Sequence, residues 1–194
     1  MNQSLDEHLK RLNPTGADWA DLTEEQQLEL RKTWDAVVSD PKNLDCTCPR
    51  IGCRNNRNCK FCVGLHRYYG GLADCLRFVD DKISEGVPAD KRYNIHGIVL
   101  KGQQAQTREE YEAHVASAPP DPERMMALVE EYHRVVRVPK NIACTCPRTD
   151  CWYHNNCVKC AALHRYYDGF PDCCKEIHDK IDAAVQAYKQ SVES

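Results

Sequence analysis

Residues Leu44 to Ile83 and Ile142 to Ile181 align without a gap at an offset of 98 positions, and about half of the paired residues are identical. CTCPR, LHRYY and DKI each occur twice at that one spacing, which chance does not produce. Internal repetition dictates architecture before any local pattern does, so the chain is read as one small unit written twice. The repeat starts ahead of its cysteines, because Pro41-Lys42-Asn43 matches Pro139-Lys140-Asn141. Further upstream, Leu30, Trp34 and Val37 match Leu128, Tyr132 and Val135. Positions i, i+4 and i+7 form the apolar stripe of an amphipathic helix.

These stripes predict equivalent helices over Glu24 to Ser39 and Pro122 to Arg137. Thr23 with Glu24 and Glu25 supplies a cap and an acidic first turn for one. Asp121-Pro122-Glu123 does the same for the other, with proline at the first helical position. Each helix should stop before its following proline, which disfavours helical geometry in the residue ahead of it. Asn58 to Tyr69 and Asn156 to Tyr167 read as short helices. A last helix follows each late cysteine, longer in the second copy, where Ile177, Ile181, Val185, Tyr188 and Val192 share a side. The expected fold is mainly α: two tandem small metal-stabilised units, each helix, cysteine loop, short helix, helix. The boundaries are 20–83 for the first cysteine-rich repeat, 84–117 for a connector and 118–192 for the second repeat. In the stretch between the repeats, Thr107 and Glu110 form a capping box and Tyr93 to Leu100 could make a short strand.

Metal is expected because units this small bury too little surface to be comfortably stable without a staple. The hydrophobic fraction of 42 % includes 13 cysteines, and an odd count fits a closed disulfide framework poorly. Met1 to Leu12 lacks the apolar core of a secretory signal, and no run reaches the roughly 18 apolar residues of a membrane helix. A cytoplasmic location without membrane association follows as the expectation, and there clustered thiols mean metal or redox chemistry. A net charge of −3 gives no global basic field, so nucleic acid is an unlikely partner.

The candidate ligands of the first repeat are Cys46, Cys48, Cys53, Cys59, Cys62, His66 and Cys75. Those of the second are Cys144, Cys146, Cys151, Cys157, Cys160, His164 and Cys173. All seven keep their register while many neighbours change. Cys59, Cys62 and His66 lie at i, i+3 and i+7 and project from one helix face. Zinc takes four sulfur or nitrogen ligands at tetrahedral corners, and C-x2-C is a familiar half-site. Seven candidates per repeat exceed one such shell and serve two ions only if a thiolate bridges them. One zinc per repeat is preferred, with Cys59 and Cys62 the leading ligands and Cys46, Cys48, Cys75 and His66 competing for the rest. An iron–sulfur cluster on four of the cysteines is the alternative. His66 and His164 either ligate or hydrogen-bond a metal-bound thiolate.

Simpler roles cover the remaining residues. Cys174 faces Leu76 in the other copy and reads as a small buried hydrophobe. His154, opposite Asn56, reads as a surface residue. In the two Arg-Tyr-Tyr motifs, one tyrosine should pack the core while Arg67 and Arg165 neutralise the thiols. Asp74 and Asp172 read as helix caps.

The pattern C-x-C-x4-C-x5-C-x2-C-x3-H with a later cysteine resembles a family of short cysteine-rich proteins from anaerobic bacteria. Their late LPAC-like element corresponds here to Leu72-Ala73-Asp74-Cys75 and Phe170-Pro171-Asp172-Cys173, and the likeness covers each core of roughly 35 residues. The resemblance implies metal binding and a setting in anaerobic metabolism, and no particular activity. The function expected is therefore a zinc-binding scaffold or accessory protein with a protein partner, or alternatively an iron–sulfur electron-transfer subunit. Catalysis is not expected: more than four cysteines per repeat favour closed sites, and no acid–base set accompanies them.

Overall fold

The computed structural model describes residues 10–15, 21–48, 55–76, 82, 84–88 and 122–193, except the side chains of residues 124, 125 and 128. Cys53, the Tyr93 to Leu100 strand, the Thr107–Glu110 cap and most of the helix expected after Cys75 lie outside them. Helix dominates, and no strand occurs among the described residues. None of their helices is long and apolar enough to cross a membrane.

Helix α1 (Glu24–Ser39) begins with a full capping box: Thr23 accepts from the Gln26 backbone, and the Gln26 side chain accepts from the Thr23 backbone. The short α2 (Pro41–Leu44) follows, started by the Asp40 side chain, and then α3 (Cys59–Tyr68) and a 3-10 turn (Asp74–Leu76). The same order recurs as α4 (Pro122–Arg137), α5 (Pro139–Ile142), α6 (Cys157–Tyr166), a second 3-10 turn (Asp172–Cys174) and the terminal α7 (Lys175–Glu193). The repeated Pro-Lys-Asn has a structural cause. Proline ends the long helix, and the asparagine amide then turns back to donate to an orphaned carbonyl, Asn43 to Val37 at 2.8 Å and Asn141 to Val135 at 2.9 Å.

The apolar stripes cross over. Helices α1 and α2 pack on α6, while α4 and α5 pack on α3, and α3 and α6 pack on each other. Leu30, Trp34, Val37 and Val38 of α1 thus meet Leu163 and Tyr153 of the second repeat. Val135 and Val136 of α4 meet Leu65, with Phe61 and Tyr132 at the edge. Each stripe covers the cysteine helix of the other repeat, so the two sets of elements are interleaved.

A third core lies between the repeats and draws on both. Val63, Leu72 and Leu76 meet Phe170, Ile177, Ile181 and Val185, and the buried Cys174 joins them as a small apolar residue. Val87, just beyond the first repeat, enters the same core at 2 % exposure. Ile177, Ile181 and Val185 are the buried stripe of α7, and Val192 at its far end is exposed. Burying each large side chain is worth about 1.5–3 kcal/mol, so much of the stabilisation here joins one repeat to the other.

Candidate metal centre

In the second repeat, Asn156 accepts from the Lys159 backbone and fixes the first turn of α6, so Cys157 and Cys160 sit one turn apart. Cys144 and Cys146 arrive from the stretch after α5, and Cys173 from the second 3-10 turn. These five thiols are among the residues lining one partly enclosed cavity of about 20 Å3, room for about one water-sized occupant. Gly64 and Arg67 of α3 line it as well. Cys151 instead packs with Cys160 against the core around α1. His164 is half-buried in the last turn of α6 and is not in the cavity lining.

The first repeat shows a corresponding group. Cys59 is held up by burial and then by the neighbouring Cys46, and Cys75 stands within electrostatic reach of both. Cys62 packs beside Cys75 on the central core, and His66 is half-buried in the last turn of α3. Cys59 also feels Cys157, so the two groups are neighbours across the contact between α3 and α6. Among the described residues no three cysteine, histidine or carboxylate side chains already stand in a metal-holding arrangement.

The second cysteine of each CTC motif has a separate partner. Cys48 donates to Asp74 and Cys146 to Asp172, both at 3.6 Å. The two aspartates are therefore thiol acceptors, and the second 3-10 turn is preceded by Pro171 with no side-chain cap. Both carboxylates were legible as repeated residues beside the late cysteines, but their partners lie 26 positions away in sequence.

The two arginines do more than neutralise thiols. Arg67 donates to Thr145 Oγ1 at 3.0 Å and to the Asn141 and Ala143 carbonyls at 3.1 and 2.7 Å. Arg165 donates to the Asn43 and Asp45 carbonyls. A cation at the C-terminal carbonyls of a helix is favourable, and here each arginine ties its own cysteine helix to the start of the other repeat's CTC loop. Each also hydrogen-bonds the other repeat's late cysteine, Arg67 to Cys173 and Arg165 to Cys75. Tyr69 and Tyr153 add two further ties, donating to Glu131 at 2.6 Å and to Asp35 at 2.7 Å. Identity of Arg67 and Arg165 between the repeats was a signal for the first pair. Tyr153, opposite Asn55 in the other copy, gave none.

Electrostatics set a condition on any chemistry. Burial and the nearby thiols Cys173, Cys151, Cys157 and Cys144 push Cys160 far up. Burial also raises Cys146, to about 11, against Asp172. Cys173 is instead lowered, to about 7, by the hydrogen bond from Cys174 with help from Arg67. Thiols this close cannot all ionise without a compensating cation. A soft divalent ion meets that need, and sulfur donors from three chain segments around an atom-sized space suit zinc. No family model, no curated protein and no solved structure matches this chain.

Proposed function

We propose that this chain is a zinc-binding scaffold or accessory protein, built as two paired metal-stabilised units and kin to the short cysteine-rich proteins its motifs resemble. One observation carries the reading: five thiols of the second repeat, from three chain segments, line one atom-sized cavity. Cys144, Cys157, Cys160 and Cys173 are the four assigned to zinc, since Cys146 is engaged with Asp172. By register, Cys46, Cys59, Cys62 and Cys75 take the first site. An ion bound by each set of four supplies folding free energy there.

Duplication supports a binding role, because two similar faces on one chain engage a partner bivalently. Tyr68 and Tyr166, equivalent residues of the repeats, are 54 % and 56 % exposed and each rests edge-on against the tyrosine that follows it. Packing needs do not account for keeping an exposed tyrosine twice, and tyrosine is enriched at protein interfaces. A cytoplasmic setting accords with reduced thiols.

Elemental analysis of protein purified without oxygen tests the metal directly. The expected result is colourless protein with about two zinc ions per chain. Iron with sulfide and visible absorption would instead establish the iron–sulfur alternative, and negligible metal of any kind would end both.

A further inference from the structure

Each thiol group draws on two sources. In the second repeat Cys157 and Cys160 stand on α6, whereas Cys144 follows α5 and Cys173 lies in the second 3-10 turn. The pair away from the helix is held from outside the repeat. Arg67 of α3 donates to the Asn141 and Ala143 carbonyls and to Thr145 Oγ1, bonds that straddle Cys144. It also hydrogen-bonds Cys173. Lys60, Gly64 and Arg67, at i, i+4 and i+7 on one face of α3, form part of the wall of the second repeat's cavity.

The first repeat has the reciprocal arrangement. Cys59 and Cys62 stand on α3, while Cys46 follows α2 and Cys75 lies in the first 3-10 turn. Arg165 of α6 donates to the carbonyls of Asn43 and Asp45, the latter adjoining Cys46. It also hydrogen-bonds Cys75. Each cysteine helix thus supplies two thiols to its own group and carries the arginine that holds the remaining two thiols of the other. A guanidinium fixes several acceptors at once because its donors form a rigid planar fork. It can do so only where its helix is in place, and metal bound to that helix's own cysteines holds the helix there.

We propose that Arg67 and Arg165 are positioning residues that couple the two sites, so that filling either one raises the affinity of the other for zinc. This rests on the zinc reading above. Linkage makes the effect reciprocal, and such couplings are typically about 5–150-fold. A chain coupled in this way is mostly empty or fully loaded, and it responds to zinc more steeply than two independent sites would.

The test is native mass spectrometry of the full-length apo chain titrated with zinc without oxygen. Two matched independent sites leave about half of the chains singly loaded at the midpoint, whereas tenfold coupling leaves about a quarter. The wild-type chain should show about a quarter or less, and half or more would overturn the proposal. Arg67→Ala and Arg165→Ala should each raise the singly loaded fraction. Alkylation of free thiols then locates the empty site, because metal-bound thiolates are shielded. In Arg67→Ala the reactive cysteines should be those of the second repeat, and in Arg165→Ala those of the first. A merely structural role would empty the site on the altered helix, or both sites together, and either pattern would overturn the proposal. So would variants that load as the wild type does. Uptake of no zinc at all would overturn the zinc reading and this inference with it.

Discussion

The crossing of α3 on α4 and α5 and the crossing of α6 on α1 and α2 share a plan but not a filling. Both are held by an arginine at the other repeat's carbonyls and by an asparagine that closes the long helix. Between them the contact differs. A Cβ added at Gly64 would lie 2.9 Å from the Asn141 carbonyl oxygen and 2.9 Å from Ile142 Cγ2. The corresponding residue on α6 is Ala162, accommodated at 3 % exposure. Where the first crossing has Tyr132, the second has Trp34, whose indole N–H donates to the Leu12 carbonyl at 3.0 Å and whose ring meets Trp152 edge-on. Even the turn closing each cysteine helix diverges: Gly70 occupies the left-handed position in one, and Asp168, paired with Arg11 at 2.8 Å, in the other. The arginine and asparagine ties to backbone carbonyls are kept in both copies, because those carbonyl positions repeat with the fold. Apolar filling drifts freely provided volume is kept.

On the zinc reading proposed above, the largest effect should come from removing metal. Structural zinc contributes on the order of 10 kcal/mol to small domains, so a strong chelator should abolish most of the helical circular dichroism and the cooperative melt. Because the repeats are interleaved, Cys160→Ser should release about one ion and also perturb Trp34 fluorescence on the α1 side. An apo chain that melts as before would show that the three cores suffice alone. If Cys160→Ser left Trp34 undisturbed, α1 would not depend on the thiol group of the helix it covers.

Arg67→Ala and Arg165→Ala come next, each expected to cost about 2–3 kcal/mol in urea unfolding, since charged donors to half-buried carbonyls are strong. Arg67, which donates to Thr145 Oγ1 in addition to its two carbonyls, should cost the more. Lysine should rescue neither, because a single ammonium cannot reproduce the planar fork. Equal stability of the alanine variants would remove the arginines from the shared plan.

Gly64→Ala and Ala162→Gly probe the unlike filling. Alanine at Gly64 gains up to about 1 kcal/mol of helix propensity but must move the α5 backbone, an overpacking cost of roughly 1–3 kcal/mol. A net loss near 1 kcal/mol is expected. Ala162→Gly should also lose about 1 kcal/mol, through chain entropy and a lost contact. A stabilised Gly64→Ala would mean that α5 gives way easily.

The smallest effect concerns alkaline pH. Burial, then the hydrogen bond to a carboxylate, raises the ionisation of Tyr69 and of Tyr153 well above the usual value near 10. The folded state therefore holds these protons more tightly than the unfolded chain. Their contribution is complete below pH 10 and is lost progressively as pH climbs above it. Tyr69→Phe and Tyr153→Phe should each flatten the decline in stability above pH 10, measured by denaturant midpoints. Unchanged slopes would show that the two ties are not linked to folding.

Much of the local structure was legible because its causes are local. Thr23 caps the helix it precedes as read, the cysteine helices start where Asn58 and Asn156 were read to open them, and the prolines follow the ends of the long helices; the cap at Asp40 went unread. The thiol groups were legible in membership, since a repeated cysteine announces itself. Their partners were not. Neither the Asp74 and Asp172 contacts nor the reach of Arg67 across 74 to 78 positions leaves any trace in spacing.

The sequence by itself determined that a helical, thiol-bearing element occurs twice, and placed the long and cysteine helices, because capping and periodicity act over a few residues; the short helices Pro41–Leu44 and Pro139–Ile142 it did not announce. Only the tertiary structure decided that each long helix covers the other repeat's cysteine helix. An amphipathic stripe records that a face must be buried and says nothing of what buries it. With two near-identical cysteine helices on one chain, either could serve. The choice falls to contacts that the period does not encode: the fit of Gly64 under α5, Tyr153 on Asp35, and the arginines at the opposite carbonyls.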